Sequence, residues 1–233
     1  MSRIFVTGDT HGDYDWGKIN TARWPEQKKL TKDDYLIIAG DWGGIWSMPV
    51  DEGESAYCIE VYNSRNFTTL FVDGNHDRHD YYATLPVEEW NGGKIHRVSD
   101  SIFHLMRGQV FNIDGRTIFT MGGADSVDKL WRKPGVSWWP EEMPNIAEYT
   151  EAMENLERAG FNVDYVITHC CGTQLLHRMY THHSQPDALT NFFWELEKDH
   201  NLTFKSWFFG HHHQDAIFDD GKYRCLYQDI VEI

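Results

Sequence analysis

Five short polar clusters along the chain carry side chains whose types can bind metal ions. They read GDTHGD at 8–13, GDWG at 40–43, GNHD at 74–77, TH at 168–169 and GHHH at 210–213. Their oxygen and imidazole donors are Asp9, His11, Asp41, Asn75, His169, His211 and His213. Seven donors exceed one tetrahedral site, so the sequence predicts two divalent ions. Nitrogen and oxygen donors favour Mn, Fe or Zn, whereas so many imidazoles suit Mg and Ca less well.

The first and last clusters each hold two donors that lie two residues apart. These pairs are Asp9 with His11 and His211 with His213. In an extended segment, residues two apart point to the same side. The intervening residue then points elsewhere, and His212 is therefore left out of the predicted ligand set.

Asp41 is predicted to be the carboxylate that both ions share, because it is the only donor in its cluster. In two-metal sites the ions lie roughly 3.5–4 Å apart. Such a pair neutralises phosphoryl oxygens and lowers the pKa of a bridging water, which produces hydroxide at about pH 7. The predicted chemistry is hydrolysis of phosphate esters. The alternative, for any one cluster alone, is a polar strand end that merely caps a turn.

Short apolar runs precede the clusters and are typical of buried strands. They span 3–7, 35–39, 69–72, 163–168 and 206–209, and helical spacing covers 54–65, 146–159 and 187–200. This alternation predicts an α/β fold. Turns at 114–115 and 220–221 predict hairpins, so the sheets must be mixed. We expect two packed sheets with helices outside, and a single domain over residues 1–233 because no linker interrupts the clusters.

The composition excludes several classes of partner. Lys and Arg total 21 against 36 Asp and Glu, a formal net charge of −15. This charge repels nucleic acid backbones and anionic membranes, so neither non-specific nucleic acid binding nor membrane attachment is expected. No apolar run approaches the ~20 residues of a membrane-spanning helix, and the first residues read as a strand rather than a signal peptide. With few, irregularly spaced cysteines, the sequence predicts a soluble cytoplasmic protein.

Taken in order, the five clusters resemble the signature of the calcineurin-like metallophosphoesterase superfamily over almost the whole chain. The resemblance implies a four-layer αββα sandwich. It also implies that one metal binds Asp9, His11, Asp41 and His213, and the other binds Asp41, Asn75, His169 and His211. His76 would contact the scissile phosphate and protonate the leaving oxygen. Asp77 would accept a hydrogen bond from the His76 ring and fix its tautomer.

The resemblance implies a metal-dependent phosphoesterase but does not choose between monoester and diester substrates. We expect a phosphatase acting on a phosphorylated small molecule or a phosphopeptide. A phosphodiesterase and a non-catalytic metal-stabilised scaffold are the alternatives. Residues 8–12 also resemble the first motif of the protein Ser/Thr phosphatases. The second motif of that branch carries an arginine shortly after its Gly-Asp, whereas here Asp41 is followed by Trp42 and two glycines.

The segment 122–145 has little periodicity and is rich in aromatic and charged residues. One interpretation is a lid over the metal site, in which Arg132 meets a phosphate oxygen and Trp138 and Trp139 recognise a flat group. The other is a surface loop anchored by its tryptophans. The remaining histidines, among them His182 and His183, are expected to be structural or on the surface.

Overall fold

The computed structural model describes residues 1–180 and 185–233, so His182 and His183 lie outside the described residues. The strands in chain order are β1 (Ile4–Thr7), β2 (Tyr35–Ala39), β3 (Thr68–Val72), β4 (Val87–Trp90), β5 (Gly93–Ser99), β6 (Ile102–Leu105), β7 (Gln109–Ile113), β8 (Arg116–Met121), β9 (Tyr165–Thr168), β10 (Ser206–Phe209), β11 (Ala216–Phe218), β12 (Tyr223–Cys225) and β13 (Val231–Glu232). The helices are α1 (Gly53–Asn63), α2 (His79–Tyr82), α3 (Ile146–Arg158), α4 (Thr173–Met179) and α5 (Ala188–Lys198).

The strands form two mixed sheets, as the sequence predicted. The first sheet runs β13-β1-β2-β3-β6-β5-β4, and the second runs β11-β12-β10-β9-β8-β7. Strands β1, β2, β3 and β6 are parallel in the first sheet, and β8, β9, β10 and β12 are parallel in the second. The carboxyl ends of parallel strands meet at one edge of a sheet, so the residues that follow them are brought together.

Three apolar layers show that helices cover both outer faces. One layer lies between the sheets and contains Val6, Ile37, Phe111, Ile167 and Phe208. A second packs α3, α4 and α5 against the second sheet, and a third packs α1 and the 16–30 region against the first. Strands β2 and β3 are therefore buried on both faces, which explains their continuous apolar sequences. The α/β class with two packed sheets and outer helices is confirmed.

Local signals fix the ends of the longer helices. Asn145 caps α3 in a reciprocal capping box with Glu148, and Asp187 caps α5 with Thr190. Both predicted hairpins are present, as the antiparallel pairs β7–β8 and β11–β12. In the part of the chain that is described, no helix combines the length and apolar character needed to cross a bilayer.

Candidate metal centre

The five polar clusters directly follow β1, β2, β3, β9 and β10, and they meet where the two sheets adjoin. Two glycines permit this close approach. A Cβ on Gly40 would lie 2.0 Å from Nδ1 of His169, and one on Gly74 would lie 2.1 Å from Oδ1 of Asp41. Larger residues at 40 and 74 would therefore separate the strand ends that hold the predicted ligands.

Asp41 occupies the middle of the cluster. Its Oδ2 lies 3.3 Å from Nε2 of His11 and 3.3 Å from Nε2 of His169, which come from different sheets. Its Oδ1 accepts the backbone N–H of His76 at 2.7 Å. The carboxylate is 1% exposed. One oxygen of Asp41 therefore faces both groups of predicted ligands.

Asn75 closes one side of the cluster. Its Oδ1 lies 3.1 Å from Nε2 of His169 and 3.0 Å from Nδ1 of His211. Its Nδ2 donates instead to the Ser126 hydroxyl at 3.1 Å. The amide oxygen, rather than the nitrogen, therefore faces the two imidazoles, as a ligand to a cation must.

Asp9 lies on the opposite side, with both carboxylate oxygens accepting the backbone N–H of His211 at 3.1 and 3.0 Å. Its Oδ1 is 3.8 Å from Nε2 of His213. One ligand atom each from Asp9, His11 and His213 lies within 4.8 Å of the others, and the same holds for Asp9, Asp41 and His169. The structure thus brings together all seven predicted donors.

The hydrogen bonding at His169 tests whether a cation fits this arrangement. Its Nδ1 donates to the carbonyl of Ala39 at 2.9 Å. In the neutral ring, the lone pair on Nε2 then faces the Asp41 carboxylate and the Asn75 amide oxygen, so three acceptors converge with no proton between them. Such a grouping requires positive charge, either as an extra proton or as a metal ion. The donor set therefore fits divalent cations.

The pKa values at the centre show the same requirement for positive charge. Burial acts against a charged ring, but hydrogen bonding and the negative charge of Asp41 raise the pKa of His11 to about 9. Burial likewise opposes charge on His169, yet the charge of Asp41 raises its pKa to about 10. Despite burial, His169 and His11 hold the pKa of Asp41 well below its usual range.

The backbone at the clusters is not extended, which corrects one step of the sequence argument. His11, Asp41, His211 and His213 have φ values of 43°, 52°, 65° and 49°. Left-handed backbone at residues other than glycine costs about 1–3 kcal/mol each and concentrates at functional sites. The paired donors reach the centre through these turns rather than through the alternation of a strand.

His212, which the sequence argument left out, packs its ring edge-on against His211 with centroids 5.1 Å apart, but it directs its nitrogens to other groups. Its ring nitrogens face Sγ of Cys171 at 3.5 Å and the hydroxyl of Tyr180 at 3.3 Å. Burial lowers the pKa of His212 to about 4, so its ring is neutral at neutral pH.

His76 lies at the mouth of the centre, with a ligand atom within 4.8 Å of those of His11 and Asp41. Asp77 does not contact its ring, contrary to the expectation from the resemblance. The Asp77 carboxylate accepts the N–H groups of Gly43 at 2.9 Å and Gly74 at 2.8 Å. Successive side chains in this turn point in different directions, so Asp77 secures the loops beneath the centre instead of the His76 tautomer.

Of the three residues of segment 122–145 that were predicted to contact substrate, Arg132 alone lies at the centre. The guanidinium of Arg132 contacts both ring nitrogens of His76, at 3.1 and 3.3 Å. Together they line a cleft of about 900 Å³ that also includes Asp41, Asn75 and His211. The segment therefore extends over the centre, as a lid would.

The two tryptophans of this segment are placed differently from the prediction. Trp138 donates from Nε1 to the Glu142 carboxylate at 2.7 Å, and Trp139 is 7% exposed with Arg78 over its ring. Neither is among the described residues that line the cleft. The two tryptophans anchor the segment, as the loop interpretation expects. Arg132 reaches the centre, as the lid interpretation expects.

Several residues that support the ligands were not singled out from the sequence. Ser126 and Glu142 are each 1% exposed, and the Ser126 hydroxyl donates to Glu142 at 2.7 Å. That hydroxyl can then only accept from Asn75, which fixes the direction of the amide. On the other side of the centre, Asp15 binds Nδ1 of His11 at 2.7 Å. The position of Asp15 four residues after His11 is the only sequence signal that pointed to it.

The fold and the cluster of predicted ligands indicate a class of protein, which comparison with known families identifies. The profile of the calcineurin-like phosphoesterases matches residues 2–215, and the chain belongs to this family. It is 30% identical over 132 residues to the lariat debranching enzyme of Schizosaccharomyces pombe, an alignment that covers 52% of this chain and 26% of that enzyme. The match thus spans about a quarter of the relative's length.

Two solved structures are similar over most of the chain. One is phosphopantetheinyl hydrolase from Mycobacterium tuberculosis, with a TM-score of 0.44 and 15% identity, covering 96% of this chain and 87% of that one. The other is a Staphylococcus aureus protein assigned as a 5′-nucleotidase, with a TM-score of 0.49 and 13% identity, covering 96% of this chain and 48% of that one.

Proposed function

We propose that the protein is a dinuclear metal-dependent hydrolase of phosphate esters, acting chiefly as a phosphomonoesterase. The observation that carries the proposal is the position of Asp41, whose Oδ2 lies 3.3 Å from an imidazole nitrogen on each side. A buried carboxylate with an imidazole nitrogen on each side is what two cations sharing one ligand require.

The remaining donors divide into two groups around Asp41. One proposed site takes Asp9, His11, Asp41 and His213, and the other takes Asp41, Asn75, His169 and His211. Two observations support this division: the Asn75 amide oxygen faces two imidazoles of the second site, and Asp9 groups with His11 and His213 of the first. Nitrogen-rich sites of this kind suit Mn, Fe or Zn, and Mn is the ion proposed for the first tests.

Bound divalent cations would supply charge neutralisation at the phosphoryl group and activation of a water. The chain itself supplies the groups around the substrate. His76 is placed to hold a proton near the leaving oxygen, and Arg132 is placed to bind a phosphoryl oxygen beside it. Burial and the positive charge of Arg132 lower the pKa of His76, which favours the neutral ring in the free protein. The negative charge of a bound phosphate dianion would act in the opposite direction and favour the protonated form.

A phosphodiester is the second candidate substrate. The cleft of about 900 Å³ is large enough to hold groups on both sides of a phosphorus atom. The similarity to an enzyme named for debranching lariats also favours this alternative. A phosphorylated small molecule or a phosphopeptide remains the proposed substrate class for the monoesterase.

Comparing p-nitrophenyl phosphate with bis(p-nitrophenyl) phosphate tests the proposal, using purified protein loaded with Mn. We expect a higher kcat/KM for the monoester. A higher kcat/KM for the diester would establish the second candidate. Stoichiometric Mn binding without turnover of either compound would instead indicate a metal-stabilised scaffold.

A further inference from the structure

We propose that Tyr227 is a positioning residue for one of the two metal sites, acting on two imidazole ligands at once. Its hydroxyl orients His11 through Asp15, and its ring orients His213 by stacking. The inference rests on the proposed role of these histidines as metal ligands. Tyr227 itself contacts no proposed substrate group, and it lies outside the five polar clusters.

The first contact is a chain of two hydrogen bonds. The Tyr227 hydroxyl donates to Oδ1 of Asp15 at 2.8 Å, and Oδ2 of Asp15 accepts from Nδ1 of His11 at 2.7 Å. A proton on Nδ1 leaves a lone pair on Nε2, the atom that faces Asp41. A carboxylate behind a ligating histidine fixes the ring and raises its basicity. Tyr227 in turn holds that carboxylate in the required orientation.

The second contact is between rings. The Tyr227 and His213 rings stack with centroids 5.0 Å apart and an interplanar angle of 13°. The His213 side chain is 48% exposed, so the packed interior does not fix it. Within residues 1–180 and 185–233, no hydrogen bond to its ring nitrogens is observed. The His213 ring is therefore held by two ring contacts, the stack on Tyr227 and an edge-on contact with the His11 ring at a centroid distance of 5.0 Å. Of these two partners, only Tyr227 is not itself a proposed metal ligand.

Tyr227 is itself held firmly enough to position other groups. Its backbone N–H donates to Oδ1 of Asp215 at 2.8 Å, and its carbonyl accepts from Nζ of Lys18. The same buried ammonium donates to the carbonyls of Gly8 at 2.7 Å and Asp9 at 2.6 Å. Lys18 thus ties Tyr227 to the loop that carries the first cluster, and the two ligating histidines share one support.

Substitutions can separate the two contacts. Tyr227→Phe removes the hydroxyl and keeps the stack, whereas Tyr227→Leu removes both. Loss of a partner behind a metal ligand typically weakens metal affinity 10–100-fold. We expect Tyr227→Phe to raise about tenfold the Kd for Mn at the site that contains His11 and His213. Tyr227→Leu should raise this Kd further. Equilibrium dialysis measures both. Because the hydroxyl acts through Asp15, Asp15→Asn combined with Tyr227→Phe should bind Mn no more weakly than Asp15→Asn alone.

Tyr223→Phe is the matched control, since its hydroxyl also binds a carboxylate, that of Glu197, but no proposed ligand. It should leave both Mn affinities unchanged. The midpoint of unfolding of each variant, measured in the presence of a metal chelator, reports whether the variant loses its fold. Wild-type Mn affinity in Tyr227→Phe, or additive losses in the double variant, would overturn the inference while leaving the metal centre intact. Wild-type protein that binds no Mn would overturn the metal assignment and this inference together.

Discussion

The guanidinium of Arg132 lies against the imidazole of His76, with Nη1 3.1 Å from Nδ1 and Nη2 3.3 Å from Nε2. The two residues are 56 positions apart, and the segment that carries Arg132 is anchored elsewhere by Trp138 and Glu142. A phosphate that reaches His76 therefore also meets a fixed positive charge.

Replacing Arg132 with alanine is expected to lower kcat/KM for p-nitrophenyl phosphate about 10–100-fold. A hydrogen bond to a charged group contributes about 1.5–3 kcal/mol, which corresponds to this range. Mn content should not change, because Arg132 is not a proposed ligand. Arg158→Ala, at an exposed position of α3, is the control and should behave as wild type. Unchanged kinetics in Arg132→Ala would remove this residue from the substrate site.

Replacing His76 with alanine should preserve both metals and slow catalysis about 10²–10⁴-fold, the usual contribution of a general acid. The loss should depend on the leaving group, because only a poor leaving group needs a proton. We expect a larger loss with an alkyl phosphate than with p-nitrophenyl phosphate, from kcat values at saturating Mn. An equal loss with both compounds would contradict the role of His76 as leaving-group acid.

Replacing Ser126 with alanine should weaken Mn binding about tenfold. The substitution removes the acceptor that directs the Asn75 amide, so the amide can turn its NH2 toward the imidazoles. Ser126→Thr keeps the hydroxyl and should restore affinity. Equal Mn affinity for the alanine variant and wild type, from the same dialysis measurement, would show that Asn75 needs no such support.

Much of the candidate metal centre was predictable from the sequence, because each polar cluster follows an apolar strand and parallel strands bring their carboxyl ends to one edge of a sheet. The side-chain directions were not, since His11 and His213 adopt left-handed backbone that strand alternation does not describe. Strands β4 and β5 were also missed. They hold half-buried charged residues such as Glu88 and Arg97, so they lack the apolar run that marks a buried strand.

The sequence also did not predict a buried polar cluster around Asp73, which contains Arg107, His104 and His96. Arg107 is 7% exposed and donates to the Asp73 carboxylate. His104 donates to the same carboxylate from Nε2 at 3.1 Å, and its Nδ1 lies 3.1 Å from Nδ1 of His96. Sequence alone does not show that these distant residues form one buried network.

This cluster predicts that the metal-free protein loses stability in mild acid. Burial lowers the pKa of His79 and of His96 to about 4, below the ordinary value of about 6.5. Between these values the unfolded chain binds protons that the folded chain does not, so stability falls as pH drops from about 6.5 to 4. The raised pKa values of His11 and His169 act in the opposite direction, but above about pH 6.5. Burial raises the pKa of Asp77 to about 7, which offsets part of the loss within the same range.

The free energy of unfolding of the metal-free protein, measured with urea in the presence of a chelator at pH 6.5 and at pH 5, tests this effect. Each pKa unit corresponds to about 1.4 kcal/mol, and an unfolded histidine is only half protonated at about pH 6.5. Each of the two histidines should therefore account for about 1.5 kcal/mol of the loss. His96→Gln should reduce the pH-dependent loss, whereas His200→Gln, at an exposed position, should not. A wild-type free energy of unfolding that is the same at both pH values would contradict neutral burial of these rings.

The most direct test of the central claim is anomalous scattering from crystals of the protein loaded with Mn. Two peaks roughly 3.5–4 Å apart, with a carboxylate oxygen of Asp41 between them, are predicted. Asp41→Asn crystals should lose at least one peak, because an amide offers a weaker bridge. No peak at this cluster in wild-type crystals under saturating Mn, or two peaks at full occupancy in Asp41→Asn, would contradict a pair of ions that depends on this aspartate.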